Sequence, residues 1–219
     1  DLQCLSFSEI SCMHPSQEKL ADWFCEKLLA MPILEVFKIV HNNSNLEDVI
    51  QSNIPQFSNL ADAYIETPNI LGLSGQSMSY AELGIYLDNG KEKSKVAQRK
   101  YGENHSKLAT LLDLVVITAP SSSYKAALSV FGTAFNKRND NEKRKLAVRL
   151  LFRIPIIQKM FVSAHSSELD IEDNLSCLAV QTKKRRRSNI ASLLHFISDE
   201  LGDEENILTN ALENIRGWR

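Results

Sequence analysis

Between Leu108 and Leu128 the chain changes its period. Leu108, Leu111, Leu112 and Leu114 have the close apolar spacing of an amphipathic helix. The next four residues, Val115, Val116, Ile117 and Thr118, are β-branched and suit a strand. Pro120 to Ser123 then read as a turn, and Tyr124 to Val130 as the return before Gly132. A helix that passes directly into a hairpin permits few architectures. A basic run leads into it (Lys91, Lys93, Lys95, Arg99, Lys100), and the helix is predicted to begin near Gly102. A polar-tipped helix followed by a β-hairpin is the outline of a winged helix.

The rest of the 219 residues is expected to be mostly helical, with only 8 Gly and 6 Pro. No run of 18 apolar residues is present, so no membrane span is expected. The sequence opens on Asp1 without a signal-peptide pattern, so either a fragment of a longer protein or a chain short of a few leading residues is expected, in a cytoplasmic setting. Cys4, Cys12, Cys25 and Cys177 form no C-x-x-C pair, which argues against a zinc ribbon and for reduced thiols. Cys25 and Cys177 read as small buried hydrophobes.

The net charge of −2 conceals an asymmetry. Residues 1–90 hold 12 acids and 3 bases, whereas residues 91–219 hold 15 acids and 22 bases. Such a split points to a polyanion-facing half.

Three segments are predicted. Residues 1–70 read as an acidic helical support layer. A helix from Ser16 places Leu20, Trp23, Phe24, Leu28 and Met31 on one face, and Pro32 opens a second helix. Asn45 is placed to cap a third, with Glu47 and Asp48 in its first turn, and a short helix after Pro55 is expected to end at Thr67-Pro68-Asn69. Residues 71–136 form a first winged-helix unit, entered through a helix capped by Ser79 with Glu82 three residues on. Asp88-Asn89-Gly90 is a turn signal. Residues 137–219 form a second winged-helix-like unit and a C-terminal helix. Here Asn139 or Asn141 caps one helix, Pro155 begins another, Ser167 caps a third, and Thr182 leads a basic helix that Gly202 ends. A helix over the tail leaves Trp218 to pack on a neighbour outside the chain.

Basic side chains near a helix start supply affinity for the phosphates of DNA, and polar residues in the first turns of a groove helix read bases. If the helix starts near Gly102, Asn104, His105 and Lys107 occupy the base-reading places. Lys100, Tyr101 and Ser106 are placed for phosphates, and Lys125 sits beside the backbone from the hairpin wing. In the second unit, Lys184, Arg185, Arg186, Arg187, Ser188 and Asn189 make a basic entry to a helix and are also assigned to phosphate. The run from Lys143 to Arg149 reads instead as the wet face of an amphipathic helix.

No P-loop, G-x-S-x-G, H-E-x-x-H or glycine-rich dinucleotide loop is present, and the five histidines lie far apart. Glu168, Asp170, Glu172 and Asp173 lack the spacing of an EF-hand and read as capping and solvated residues. No catalytic residue, metal site or cofactor is assigned.

The string from Tyr124 to Gly132, YKAALSVFG, after LLDLVVI, resembles the Y-x-L-T-x-x-G wing of winged-helix modules in Type II restriction endonucleases. Thr182-x-x-Arg185-Arg186, followed by Ile190, Leu193, Leu194, Phe196 and Ile197, is similar to a later helix of the same modules. The resemblance spans residues 75–201. It implies a tandem winged-helix recognition region that binds double-stranded DNA sequence-specifically, joined to a nuclease domain elsewhere, where any Mg²⁺ would act. A second copy of the chain is the alternative partner. A winged-helix transcription regulator and a helical protein-interaction module are the rival readings.

Overall fold

The computed structural model describes residues 10, 12–43, 49–88, 94–118, 124–201 and 206–219, with the backbone alone at 43 and 206. Among these the α-helices are α1 (Glu18–Ala30), α2 (Ile33–Asn43), α3 (Thr67–Ser74), α4 (Tyr80–Asp88), α5 (Lys95–Leu111), α6 (Val130–Asn136), α7 (Asp140–Leu151), α8 (Pro155–Ala164), α9 (Val180–Ser198) and α10 (Asn206–Glu213). The strands are β1 (Met78–Ser79), β2 (Val115–Thr118), β3 (Lys125–Leu128), β4 (Leu169–Asp170) and β5 (Ile215–Arg216). The protein is mainly helical with little sheet, as its composition implies. None of the described helices is long and apolar enough to cross a membrane. The predicted cap at Asn45, the turn at Asn89-Gly90, Lys91, Lys93, the hairpin tip Pro120 to Ser123, Gly202 and Cys4 lie outside the described residues.

The chain forms two compact units, Asp1–Lys27 with Phe57–Leu146, and Leu28–Gln56 with Ala147–Arg219. The boundaries drawn from composition, 1–70, 71–136 and 137–219, do not coincide with them. Residues of the first 70 enter both cores.

In the first unit a π-helical turn, Asp62–Glu66, runs straight into α3. Thr67 and Pro68 do not end this helix, contrary to expectation. Pro68 sits in the first turn of α3, where a missing N–H costs nothing, and the Thr67 hydroxyl donates to the Asp62 carbonyl at 2.6 Å. Gly75 closes α3 in the left-handed conformation, φ 62°. The Ser79–Glu82 capping box forms as read. The Ser79 N–H donates to Glu82 Oε2 at 2.7 Å, and the Glu82 N–H to Ser79 Oγ at 3.3 Å.

Helices α4 and α5 come together backbone to backbone. A Cβ at Gly84 would stand 1.9 Å from the Gln98 carbonyl oxygen, and one at Gly102 would stand 2.1 Å from that of Tyr80. The predicted hairpin follows, β2 pairing antiparallel with β3 from Val115↔Leu128 to Thr118↔Lys125. β1 adds to the other edge of β3, giving the order β1-β3-β2. Ser129 then caps α6, its Oγ accepting from the Gly132 N–H at 2.7 Å. Phe24 meets Phe131 edge-on at 6.0 Å, in a core with Leu83, Leu108, Leu112 and Phe135. Asn139 forms a second capping box with Glu142, 3.0 and 3.1 Å, at the start of α7. Within the run predicted as a wet helix face, Lys143 and Arg149 are in fact buried, at 4% and 7% exposure.

The second unit packs around Phe37, Phe152 and Phe161, with ring centroids 5.1 to 6.1 Å apart. Ile156, Ile157, Leu193, Leu194 and Ile197 complete this apolar interior. Pro155 starts α8 as expected. The helix expected from Ser167 does not form. β4 and a 3-10 turn, Ile171–Leu175, occupy that stretch, and Asp170 provides the cap by accepting from the Glu172 N–H at 2.8 Å. β5 pairs with β4 in parallel, and α9 is followed by α10, so the described residues of this unit form no second hairpin. Trp218 is buried within the chain, its Nε1 donating to the Leu212 carbonyl at 3.1 Å, and needs no outside neighbour. Cys25 is buried as read, but Cys177 is exposed.

Candidate nucleic-acid interface

Helix α5 begins seven residues before the position inferred from sequence. Ser94 is its N-cap, with Oγ accepting from the Ala97 N–H at 3.3 Å. Lys95, Arg99 and Lys100 therefore belong to the helix, not to a loop that delivers the chain to it. The shift changes which residues are available to a ligand. His105 and Ser106 are fully buried and cannot reach a groove or a phosphate. The Tyr101 carbonyl can only accept, so His105 Nδ1 carries the proton and donates to it at 2.8 Å.

Tyr101 also turns inward. It is half-buried, and its hydroxyl donates to the Asp62 carboxylate. Partial burial, then this hydrogen bond, push its pKa up from the ordinary phenol value. Asn104 is half-buried at the flank of the helix, while Lys107 stays exposed.

The outer face of α5 carries Val96, Arg99, Lys100, Glu103 and Lys107 at spacings of one to four residues. Glu103 sits at its centre. It binds Lys100 at 3.1 Å on one side and Lys107 at 2.6 Å on the other. Partial burial raises the Glu103 carboxyl, but the hydrogen bonds from Lys107 and Lys100 outweigh it and hold the pKa below the usual value. The positive charge of this face is thus partly cancelled locally. Lys125 is exposed at the start of β3.

Helix α9 differs. It follows the 3-10 turn Ile171–Leu175 after a four-residue connection, and it opens at Val180, two residues before Thr182. Its buried side is Asn189, Ile190, Leu193, Leu194, Phe196 and Ile197. Three of the predicted phosphate residues are held by the fold. Arg186 is half-buried and donates from Nη1 to the Ile54 carbonyl at 3.0 Å. Arg187 pairs with Glu172 at 2.7 Å, and Asn189 is buried. Lys184, Arg185 and Ser188 are exposed as expected.

With these three, Gln181, Ser192 and His195 complete one exposed face, at steps of one to four residues. No acidic side chain interrupts it. Gln181 and Ser192 were not singled out from sequence, although helical spacing from Arg185 and Ser188 identifies them once the helix start is known. Of the four acids that precede the helix, Glu168 pairs with Arg216 at 3.4 Å, Asp170 caps and Glu172 holds Arg187, while Asp173 is exposed.

Among the described residues no group of three or more His, Cys, Asp or Glu side chains is arranged to hold a metal ion. No protein-family model matches the chain. No characterised protein matches it, and no solved structure does.

Proposed function

We propose that the chain binds double-stranded DNA sequence-specifically, as the recognition region of a restriction-type endonuclease whose nuclease domain is separate. The observation that carries this reading is the acid-free exposed face of α9. Gln181, Lys184, Arg185, Ser188 and Ser192 lie along the first two-thirds of a helix that follows a short helical turn. Ammonium and guanidinium groups supply affinity through counterion release, and amide, hydroxyl and guanidinium groups can read base edges in a major groove. The order α3–β1–α4–α5–β2–β3, with β3 between β1 and β2, supports a winged-helix reading of the first unit. In it α5 is the groove helix and Arg99 and Lys100 replace His105 as its contacts. Because Glu103 offsets two lysines there, α9 contributes more of the affinity.

The test is selection of bound sequences from a random duplex pool at physiological salt, followed by binding of the selected duplex over a salt series. The expected result is a defined site and a log–log salt slope that falls by about one for Arg185→Ala. Binding with neither sequence preference nor salt dependence would sink the proposal. A protein-interaction module is the second reading, favoured by exposed Leu73, Ile85, Tyr86 and Val96 in the first unit.

A further inference from the structure

In the first unit, α3, β3 and α6 border a cleft of about 800 Å³, lined among others by Asn69, Ile70, Gly72, Leu73, Leu128 and Asn136. Behind its two asparagines lies Lys143, 4% exposed. Its Nζ donates to Asn69 Oδ1 at 2.9 Å and to Asn136 Oδ1 at 3.3 Å. These partners are neutral carbonyl oxygens. They solvate the ammonium without cancelling its charge, and a buried charge left in that state is costly.

The lysine also sets the direction of the two amides. An ammonium offers donors only, so each asparagine turns its oxygen toward it and its Nδ2 away. Asn136 Nδ2 accordingly stands over Gly72, where a Cβ would meet it at 2.6 Å. The cleft therefore combines oriented N–H donors, a positive potential from beneath and an apolar wall that includes Leu73, 90% exposed. Oriented donors near an unneutralised cation suit an oxyanion. Glu66 on the cleft lining disfavours a second negative charge.

We propose that this cleft binds a small carboxylate with an apolar body, held by the side-chain amides of Asn69 and Asn136 in the field of Lys143. The site is distinct from the faces of α5 and α9.

The experiment is titration of the ¹⁵N-labelled full chain with benzoate, read at the side-chain amide resonances of Asn69 and Asn136, with inorganic phosphate as a parallel arm. Benzoate is expected to shift both resonances saturably in the millimolar range, and phosphate to do so more weakly. Lys143→Met should weaken binding by about tenfold or more. Gly72→Ala guards against a folding defect in that variant, because alanine is the better helix former and its methyl displaces Asn136 Nδ2. It should weaken binding while the protein stays folded. No saturable shift with benzoate, equal binding by wild type and Gly72→Ala, or preference for phosphate would each overturn the proposal.

Discussion

Arg186 and Ile54 lie 132 residues apart in the chain and are joined by a 3.0 Å hydrogen bond from the guanidinium to a backbone carbonyl. This bond separates two roles that a run of basic residues merges. Arg186 is half-buried and ties α9 to the segment before the first unit resumes, whereas Arg185, next to it, is exposed. Arg186→Ala should therefore lower stability by about 1.5–3 kcal/mol, the range for hydrogen bonds to charged groups. Arg185→Ala should leave stability within about 0.5 kcal/mol of wild type and weaken duplex binding instead. Urea unfolding and a salt-series binding measurement on both variants check this. Equal stability of the two variants would remove the structural role given to Arg186.

The Glu103 clamp predicts a pH signature. Its carboxyl pKa is lower in the folded protein, so its stabilising contribution is present above the unfolded value of about 4.3 and is lost as pH falls through the folded value. Glu103→Gln should cost less than about 1 kcal/mol at pH 7, because Lys100 and Lys107 are more than half exposed. That difference should shrink toward zero as the pH is lowered through the folded value, which lies below the unfolded one. Because the substitution also removes the acid from the outer face of α5, duplex affinity should rise. Parallel unfolding curves at pH 7 and at acid pH, with one binding isotherm, measure both effects.

What was legible in the sequence was local. The Ser79–Glu82 box, the cap at Asn139 as one of two asparagines in reach, the start of α8 at Pro155 and the β2–β3 hairpin all form where short-range patterns place them. The start of α5 was not legible, for a physical reason. Its buried residues over the first three turns are Gly102, which meets the α4 backbone, and the polar His105 and Ser106, so hydropathy shows no apolar face there. Without that register, His105 and Ser106 fell on the wrong side of the helix. The continuation through Thr67-Pro68 was missed because a π-helical turn precedes the proline and carries it into a first-turn position. The structural roles of Arg186 and Lys143 depend in part on Ile54 and Asn69, more than 70 residues away, which spacing within a helix does not reveal.

The cysteines should divide by exposure. Burial pushes the Cys25 thiol up to about 12, the nearby Arg138 offsetting this only in part. Cys12 and Cys177 are exposed. Iodoacetamide at pH 8 followed by peptide mass analysis should find Cys12 and Cys177 modified in the native protein and Cys25 modified only after denaturant is added. Rapid native labelling of Cys25 would contradict its place in the core.

The α4–α5 contact makes the sharpest structural prediction. Gly102 lies against the Tyr80 carbonyl, and the atoms that a methyl would meet, at 2.1 to 3.0 Å, are backbone atoms of Tyr80 and Gly84. Backbone cannot swing aside as a side-chain tip can, so Gly102→Ala must push the helices apart or strain them. Alanine is worth about 1 kcal/mol to an isolated helix, so a contact of ordinary tightness would leave the variant more stable. Here overpacking should prevail, with a net loss of about 1–3 kcal/mol or more. Gly72→Ala in α3 is the matched control, because the nearest atom there is the movable amide of Asn136. Thermal unfolding should place Gly102→Ala several degrees below wild type and Gly72→Ala close to it. If Gly102→Ala melts with or above wild type, α4 and α5 do not meet backbone to backbone.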